Sequence, residues 1–168
     1  MSSILETERL TLRQFALEDA KFIIELVNSP GWLEFIGDRN IRTEEAAVGY
    51  LRNGPIKSYR ENGFGLWMVE MKDRTPIGMC GILKRDNLEN PDIGFAFLPE
   101  FMGMGYAFEI ASATINYAKD KLNLKTICAI TAPANEKSIR LLEKTGLTFI
   151  KTIFAPTDNE ELLLFSTR

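Results

Sequence analysis

A pair of glycines separated by one residue joins a predicted strand to a predicted helix. Gly103 and Gly105 follow the apolar run 92–98 and precede the helical pattern of residues 106–121. Glycine allows unusual backbone dihedral angles and a close approach to a ligand. The first N–H groups of a helix have no partner within it and lie at the positive end of its dipole, an arrangement that binds phosphate. The spacing therefore predicts either a phosphate-binding loop or an ordinary tight turn.

Two common nucleotide-binding patterns do not fit this loop. No Lys-Ser or Lys-Thr pair follows at the distance that a P-loop requires, and Phe108 stands where the dinucleotide-binding pattern has its third glycine. The loop also lies in the second half of the chain, and no acidic residue ends the next predicted strand. Both of these classes of nucleotide site are therefore excluded.

The chain has no histidine, and this limits the available acid–base chemistry. Ser-His-Asp and Cys-His catalysis and every His-containing zinc site are excluded. The two cysteines, Cys80 and Cys128, are too few for a closed thiolate metal site, and both lie in apolar strand-like runs. We expect buried core cysteines rather than a catalytic thiol, and no metal. Proton transfer must use Asp, Glu, Tyr, Lys, Ser or water.

The composition is typical of a globular domain. Of 168 residues, 45% are hydrophobic and 26% are charged. This length predicts one domain over residues 1–168. A net charge of −3 argues against a general nucleic-acid surface. No apolar run approaches the roughly 20 residues that span a bilayer, and residues 1–10 lack the pattern of a secretory signal. We therefore expect a cytoplasmic protein with no membrane or nucleic-acid partner.

Hydrophobic periodicity predicts the elements that position these residues. Strands are predicted at residues 9–15, 64–71, 76–84, 92–98, 125–131, 147–154 and 161–166. Helices are predicted at residues 18–28, 43–62 with a break at Gly54 and Pro55, 106–121 and 135–145, with a loop at 30–40. An early antiparallel hairpin and a later strand–helix–strand unit indicate an α/β (α+β) fold, with one mixed sheet flanked by helices.

Two segments, in the right order, resemble motifs of the GNAT N-acetyltransferases. The run LPEFMGMGYA at 98–107 resembles the acetyl-CoA pyrophosphate loop of that family. The run NEKSIRLLEKTGL at 135–147 resembles its Asn-x-x-(Ser/Ala)-x-x-Leu-x-x-Lys-x-Gly-Phe helix. A third, weaker match is ERLTLR at 8–13, which resembles the first strand of the branch that contains the ribosomal-protein N-terminal acetyltransferases.

The resemblance implies the GNAT fold, a mixed and mostly antiparallel sheet that is splayed between its fourth and fifth strands. Acetyl-CoA would lie in the splay, with its pantetheine arm paired to the strand that contains Phe97 and Leu98. A backbone N–H near these two residues would hold the oxyanion. The pyrophosphate would accept hydrogen bonds from the backbone N–H groups of Gly103, Met104, Gly105, Tyr106 and Ala107.

The same resemblance implies roles for the second motif. The side-chain amide of Asn135 would bond the pantetheine or the thioester end, and it could also cap its helix. Many family members carry a general-acid Tyr where this chain has Leu142. Ser138 resembles the stand-in that the ribosomal-protein-like branch uses. The alternative is that Ser138 is only a polar residue of the first helical turn.

Other candidates are less specific. Asp92 starts the strand that borders the cleft and is a candidate general base or a solvated carboxylate at the end of a loop. Trp32, Phe35 and Tyr50 either line an acceptor pocket or pack as ordinary core and cover residues. Glu109 is expected to be a structural or helix-surface carboxylate.

The resemblance implies an N-acetyltransferase that uses acetyl-CoA, and we expect no metal and a monomer or a homodimer. Direct attack by the amine on the thioester is expected. Without histidine or a clear base, the N-terminal α-amine of a peptide or protein, with a pKa of about 7.7–8.0, suits the chain better as acceptor than a lysine at about 10.4. A small amine as acceptor, a non-catalytic acyl-CoA-binding sensor and an unrelated α+β binding module are the alternatives.

Overall fold

The computed structural model of the chain describes residues 3–167. The strands of that part are β1 Ser3–Glu6, β2 Leu10–Arg13, β3 Leu66–Met71, β4 Pro76–Leu83, β5 Asp92–Phe97, β6 Cys128–Thr131, β7 Thr148–Phe154 and β8 Glu161–Ser166. The helices are α1 Ala20–Val27, α2 Pro30–Phe35, α3 Glu44–Asn53, α4 Pro55–Asn62, α5 Tyr106–Asp120 and α6 Glu136–Lys144. The strands form one sheet in the order β1-β2-β3-β4-β5-β6-β8-β7.

The sheet separates two hydrophobic cores. Helix α5 buries Ile110 and Ile115 against one face, where Trp67 of β3 belongs to the same core. Helices α1 to α4 cover the other face, with Leu26 and Leu51 among their buried residues. Because side chains alternate along a strand, β5 and the residue that follows it contribute to both cores. The helices thereby hold the central strands from both sides.

The splay between β5 and β6 is the feature of the sheet that positions the site. All other neighbouring strands are antiparallel, whereas β5 and β6 are parallel and share only the register pair Asp92↔Cys128. The N–H of Cys128 donates to the carbonyl of Pro91 at 2.8 Å, and beyond this point the two strands separate. The predicted mixed sheet, splayed between the predicted strands 92–98 and 125–131, is confirmed.

Two local predictions are wrong. Strand β1 was not predicted, because its four residues show no clear alternation and are ordered by pairing with β2. Residues 30–40 were predicted to form a loop, but α2 occupies Pro30–Phe35. Proline suits the first position of a helix, where its fixed φ is already helical, and Trp32 is buried against the α1–α4 core. The run Ser29-Pro30-Gly31 therefore follows the end of α1 and also begins α2.

The predicted break in the helical pattern at Gly54 and Pro55 and the predicted burial of both cysteines are confirmed. Thr43 caps α3 by accepting the N–H of Ala46 at 3.1 Å, and Gly54 separates α3 from α4. Cys80 and Cys128 are both free and buried. Within residues 3–167, no helix has the length and apolar content needed to cross a membrane.

Candidate active site

The loop between β5 and α5 is shaped by two glycines with left-handed backbone angles. After a 3-10 turn at Pro99–Phe101, Gly103 has φ 78° and Gly105 has φ 83°. Residues with a Cβ rarely adopt these angles, and Gly105 is the N-cap of α5 without any side-chain cap. The chain therefore turns into α5 with its backbone exposed.

This loop presents a row of free N–H groups. In the described part of the chain, no acceptor receives the N–H groups of residues 103–108. The first backbone bond of α5 runs from the N–H of Glu109 to the carbonyl of Gly105 at 3.1 Å. The loop is exposed, with Met104 52% accessible. Free donors at the positive end of a helix suit a diphosphate, and Glu100, the nearby acidic residue, is exposed.

The direction of backbone groups along β5 follows from its pairing with β4. Leu98 donates its N–H to the carbonyl of Ile77 at 2.9 Å, and its own carbonyl accepts from Phe101 at 3.0 Å. Because these directions alternate along an antiparallel strand, the N–H groups of Phe95 and Phe97 point away from β4 into the splay. Leu98 is therefore occupied within the protein, and the groups free to meet a ligand belong to Phe95 and Phe97.

A cleft of about 1390 Å³ opens where β5 and β6 separate. Asp92, Asn135 and Ser138 all line it, so the predicted catalytic residues come together in one cavity. Phe97, Leu98 and the loop residues 103–107 do not line this cavity. Phe97 and Leu98 are buried, and along the chain they stand between the cleft-lining residues of β5 and the loop. The predicted cofactor-binding residues thus extend from the splay to the protein surface.

Asp92 is a buried carboxylate with one cationic partner. It is 1% exposed, and Arg85 Nε lies 3.0 and 3.1 Å from its two carboxylate oxygens. Burial raises the pKa of Asp92 to about 6, and the Arg85 charge and hydrogen bond only partly oppose this effect. The structure therefore excludes the alternative of a solvated carboxylate. An acid group with this pKa is largely ionised at neutral pH and can accept a proton.

Asn135 and Ser138 lie on the first turn of α6 and are both half-buried. Asn135 Oδ1 accepts the N–H of Ser138 at 3.3 Å, which is the capping role expected from the sequence. Among residues 3–167, no partner is found for Asn135 Nδ2 or for the Ser138 hydroxyl. Leu142, where many family members have Tyr, also lines the cleft. The amide and the hydroxyl remain free for a ligand.

The opposite wall of the cleft comes from the early helices. Trp32, Phe35 and Tyr50 all line it, as the acceptor-pocket interpretation requires. Trp32 is also part of the buried core, and its indole N–H has no partner within the described residues. Burial raises the pKa of the Tyr50 phenol, against a weaker opposing effect of Arg39. The phenol is therefore protonated at neutral pH and can donate a hydrogen bond.

Sequence reasoning missed two parts of this cleft. Arg85 lies between the predicted strands 76–84 and 92–98 and was given no role, yet it pairs with Asp92. The loop between β7 and β8 contributes a further wall, with Pro156, Asp158 and Glu160 among its lining residues. Neither segment carries a motif, and only the packing of distant elements places them here.

Cys80 is excluded as a nucleophile. Burial raises the pKa of its thiol to about 12, which keeps the thiol neutral.

Comparison with known sequences agrees with this geometry. A family model described as the acetyltransferase (GNAT) domain matches residues 9–148. The uncharacterized N-acetyltransferase YoaA of Bacillus subtilis is 30% identical over 148 residues, which cover 87% of this chain and 83% of that protein.

Solved structures give the same result. An acetyltransferase from Agrobacterium tumefaciens superimposes with a TM-score of 0.82 at 27% identity, over 100% of this chain and 95% of that one. RimL, a ribosomal L7/L12 alpha-N-protein acetyltransferase in complex with coenzyme A, gives 0.84 at 12% identity, over 98% and 97%. A chimera of the spermidine N-acetyltransferase SpeG from Vibrio cholerae gives 0.76 at 20% identity, over 94% and 93%. The chain belongs to the GNAT acetyltransferase family and is an acetyl-CoA-dependent N-acetyltransferase.

Proposed function

We propose that the acceptor of this acetyltransferase is the α-amine of a peptide or protein N-terminus. The observation that carries this proposal is Asp92, a buried carboxylate in the cleft with a pKa of about 6. An ammonium group has no lone pair, so it must lose a proton before its nitrogen can attack a thioester. The strength of the available base therefore limits which amines can react.

The pKa of Asp92 fits an α-amine better than a lysine. An α-ammonium has a pKa of about 7.7–8.0, so around a tenth of the amine molecules are already neutral at pH 7. This pKa is about two units above that of the Asp92 carboxyl. A lysine ammonium at about 10.4 is neutral in fewer than about one molecule in a thousand. The chain has no histidine that could act as a stronger base. The available chemistry therefore favours the weaker amine.

The free backbone groups support a route for acetyl-CoA from the loop to the cleft. The N–H groups of residues 103–107 would bind the pyrophosphate, and the splayed edge of β5 would pair with the pantetheine arm. Phe95 and Phe97 both direct an N–H into the splay, but only Phe95 also lines the cleft that contains the proposed base. We therefore assign the oxyanion contact to Phe95, in place of the predicted Phe97 or Leu98, and a pantetheine contact to Phe97. Asn135 would hold the thioester end with its free amide nitrogen.

The reaction then needs three proton movements. Asp92 takes the first proton from the ammonium, directly or through water, and the neutral amine attacks the thioester carbon. The C–N bond forms while negative charge collects on the oxygen, and the C–S bond breaks as that charge returns. The nitrogen, which is positively charged after the attack, loses a second proton to solvent and becomes the neutral amide. Ser138 donates a hydrogen bond to the departing thiolate sulfur, which takes a proton from solvent. A thiol with a pKa near ~8.5 is a fair leaving group, so this assistance need not be strong.

A small polyamine is the second candidate acceptor. Asp86, Asp158 and Glu160 line the cleft and have no ion-pair partner within residues 3–167. Carboxylates attract polycations, but Arg39 and Lys84 line the same cavity and offset part of this charge. The fold is shared with RimL and with SpeG, so it does not choose between these acceptors.

The acceptor class is tested with a small panel. A peptide with a free N-terminus and no lysine should be acetylated faster than the same peptide with a blocked N-terminus and one lysine, because only the α-amine deprotonates readily. Release of free CoA thiol measures both rates. Spermidine completes the panel. A preference for the blocked peptide or for spermidine would contradict the proposal.

Asp92→Asn tests the proposed base. Loss of a positioned base typically lowers the rate by a factor of about 10²–10⁴, and we expect kcat to fall within this range while CoA binding changes little. In the wild type, the acid limb of the pH–rate profile should lie near pH 6, the pKa of Asp92. Retention of both the rate and this limb in the variant would exclude Asp92 as the base.

The same variant checks the pKa independently of catalysis. The folded chain binds the Asp92 proton more tightly than the unfolded chain, whose carboxyl has a pKa of about 3.9. Wild-type stability should therefore fall relative to Asp92→Asn as the pH rises from about 4 to about 6, and stay lower above it. The difference in unfolding free energy should grow by about 3 kcal/mol across this window, as measured by urea unfolding. A difference that does not vary with pH would contradict the raised pKa.

Ser138→Ala tests the proposed assistance to the leaving group. The interaction strengthens as sulfur gains charge, so kcat should fall by about tenfold to a hundredfold while the KM for acetyl-CoA stays nearly constant. Steady-state kinetics measure both values. A helix-turn role would change stability by only a few tenths of a kcal/mol and leave turnover at the wild-type level.

Gly105→Ala tests the loop, with Gly63→Ala as its matched control. Both glycines have left-handed angles, at φ 83° and 80°, so both variants carry similar backbone strain. Only Gly105 lies in the proposed pyrophosphate site. Loss of one charge-assisted hydrogen bond should weaken CoA binding by roughly tenfold or more in the first variant alone. Calorimetry measures the affinity, and equal affinities in the two folded variants would refute the assignment.

A further inference from the structure

We propose, given the loop's proposed role in binding acetyl-CoA, that Arg9 is a positioning residue that orients the free N–H groups of the loop. Arg9 lies between β1 and β2, 95 positions before Met104 of the loop. Its side chain nevertheless contacts the loop backbone. The two regions are joined by hydrogen bonds between residues 95 to 102 positions apart.

The central contact is between Arg9 and the peptide group that joins Met104 to Gly105. Arg9 Nη1 donates to the carbonyl oxygen of Met104 at 3.0 Å. In a planar trans peptide, the carbonyl and the N–H point in opposite directions. A carbonyl that is held toward Arg9 therefore directs the N–H of Gly105 away from it. This N–H has no acceptor among residues 3–167, so it is available to a ligand on the open side of the loop.

A carboxylate holds Arg9 in this position. Glu109, on the first turn of α5, accepts from Arg9 Nε at 2.7 Å and from the Arg9 backbone N–H at 2.9 Å. Thr7 adds a third bond, because its hydroxyl donates to Glu109 at 2.6 Å. Glu109 is thus the structural carboxylate that the sequence indicated. One guanidinium nitrogen donates to Glu109 and another donates to the carbonyl of Met104. The planar guanidinium thus holds the Met104 carbonyl at a fixed position relative to Glu109.

Two neighbours complete the environment of the guanidinium. Its central carbon lies 4.5 Å from the centre of the Tyr106 ring, close enough for a cation–π contact. A Cβ on Gly105 would lie 3.3 Å from Arg9 Nη2, so the position of Arg9 is a second reason for glycine there. Arg9 is 42% exposed on its side chain, and its charge stands beside the place proposed for the pyrophosphate.

Arginine and lysine differ at this position in a way that can be tested. The guanidinium presents several donors in a rigid plane and bridges Glu109 and Met104 together. A lysine ammonium keeps the charge but concentrates it on one atom, which loses this fixed bridging geometry. Arg9→Lys therefore separates the orientation of the loop from simple attraction between charges.

The experiment compares Arg9→Lys and Arg9→Gln with Lys72→Gln. Lys72 pairs with Glu6 of β1 at 2.9 Å. Lys72→Gln is a matched control, because this substitution removes an exposed ion pair from the β1–β2 hairpin without changing a residue that contacts the loop. Calorimetry measures the binding of CoA, 3′-dephospho-CoA and pantetheine to each folded variant. Only the first two ligands contain the pyrophosphate.

We expect both Arg9 variants to bind CoA and 3′-dephospho-CoA roughly tenfold more weakly than the wild type, with pantetheine binding unchanged. Lys72→Gln should match the wild type for every ligand. In turnover assays, the Arg9 variants should raise the KM for acetyl-CoA and leave kcat nearly unchanged, because Arg9 does not touch the reacting atoms.

Four outcomes would overturn the inference. Wild-type affinity in Arg9→Lys would reduce the role of Arg9 to charge alone. A loss confined to CoA would indicate a direct contact with the 3′-phosphate. Equal weakening of all three ligands would indicate a general structural defect. Equal binding of CoA and pantetheine by the wild type would refute the loop assignment itself, which is distinct from a failure of Arg9 within a working loop.

Discussion

The separation of β5 from β6 is the constraint on which the rest of the site depends. The two strands keep one register pair, Asp92↔Cys128, and then diverge. Backbone groups on a strand edge need hydrogen-bond partners, and here the N–H groups of Phe95 and Phe97 have no strand opposite them. Helix α5 on one face and helices α1 to α4 on the other hold the sheet in this shape. The gap thus leaves an open strand edge that an extended ligand, such as a pantetheine arm, can fill.

The register pair between β5 and β6 also places Asp92, and this position determines the pKa of its carboxyl. At the start of β5, this carboxylate is enclosed by the sheet and by the elements that surround the cleft, and burial raises its pKa. Arg85 keeps the ionised form accessible, because it supplies a cation without removing the effect of burial. A base of moderate strength is the result. The acceptor proposal therefore derives from where β5 begins, and not from any motif that names the substrate.

Much of the fold could be predicted because its signals are local. Alternating apolar residues mark the central strands, Thr43 marks the start of α3, and Gly146 follows the end of α6. The exceptions are β1 and α2, which are four and six residues long. Short elements contain too little periodicity to recognise, and both are ordered by their neighbours: β1 by pairing with β2, α2 by the burial of Trp32.

The sequence by itself determined that the loop has two glycines before a helix, that Asn135 caps α6, and that no histidine can serve as base. These are properties of residue type and spacing. Tertiary structure alone decided that Asp92 is buried, that Phe97 and not Leu98 faces the splay, and that Arg9 reaches Met104. Burial, strand direction and contacts across about 100 residues depend on how distant segments pack, and no local pattern encodes them.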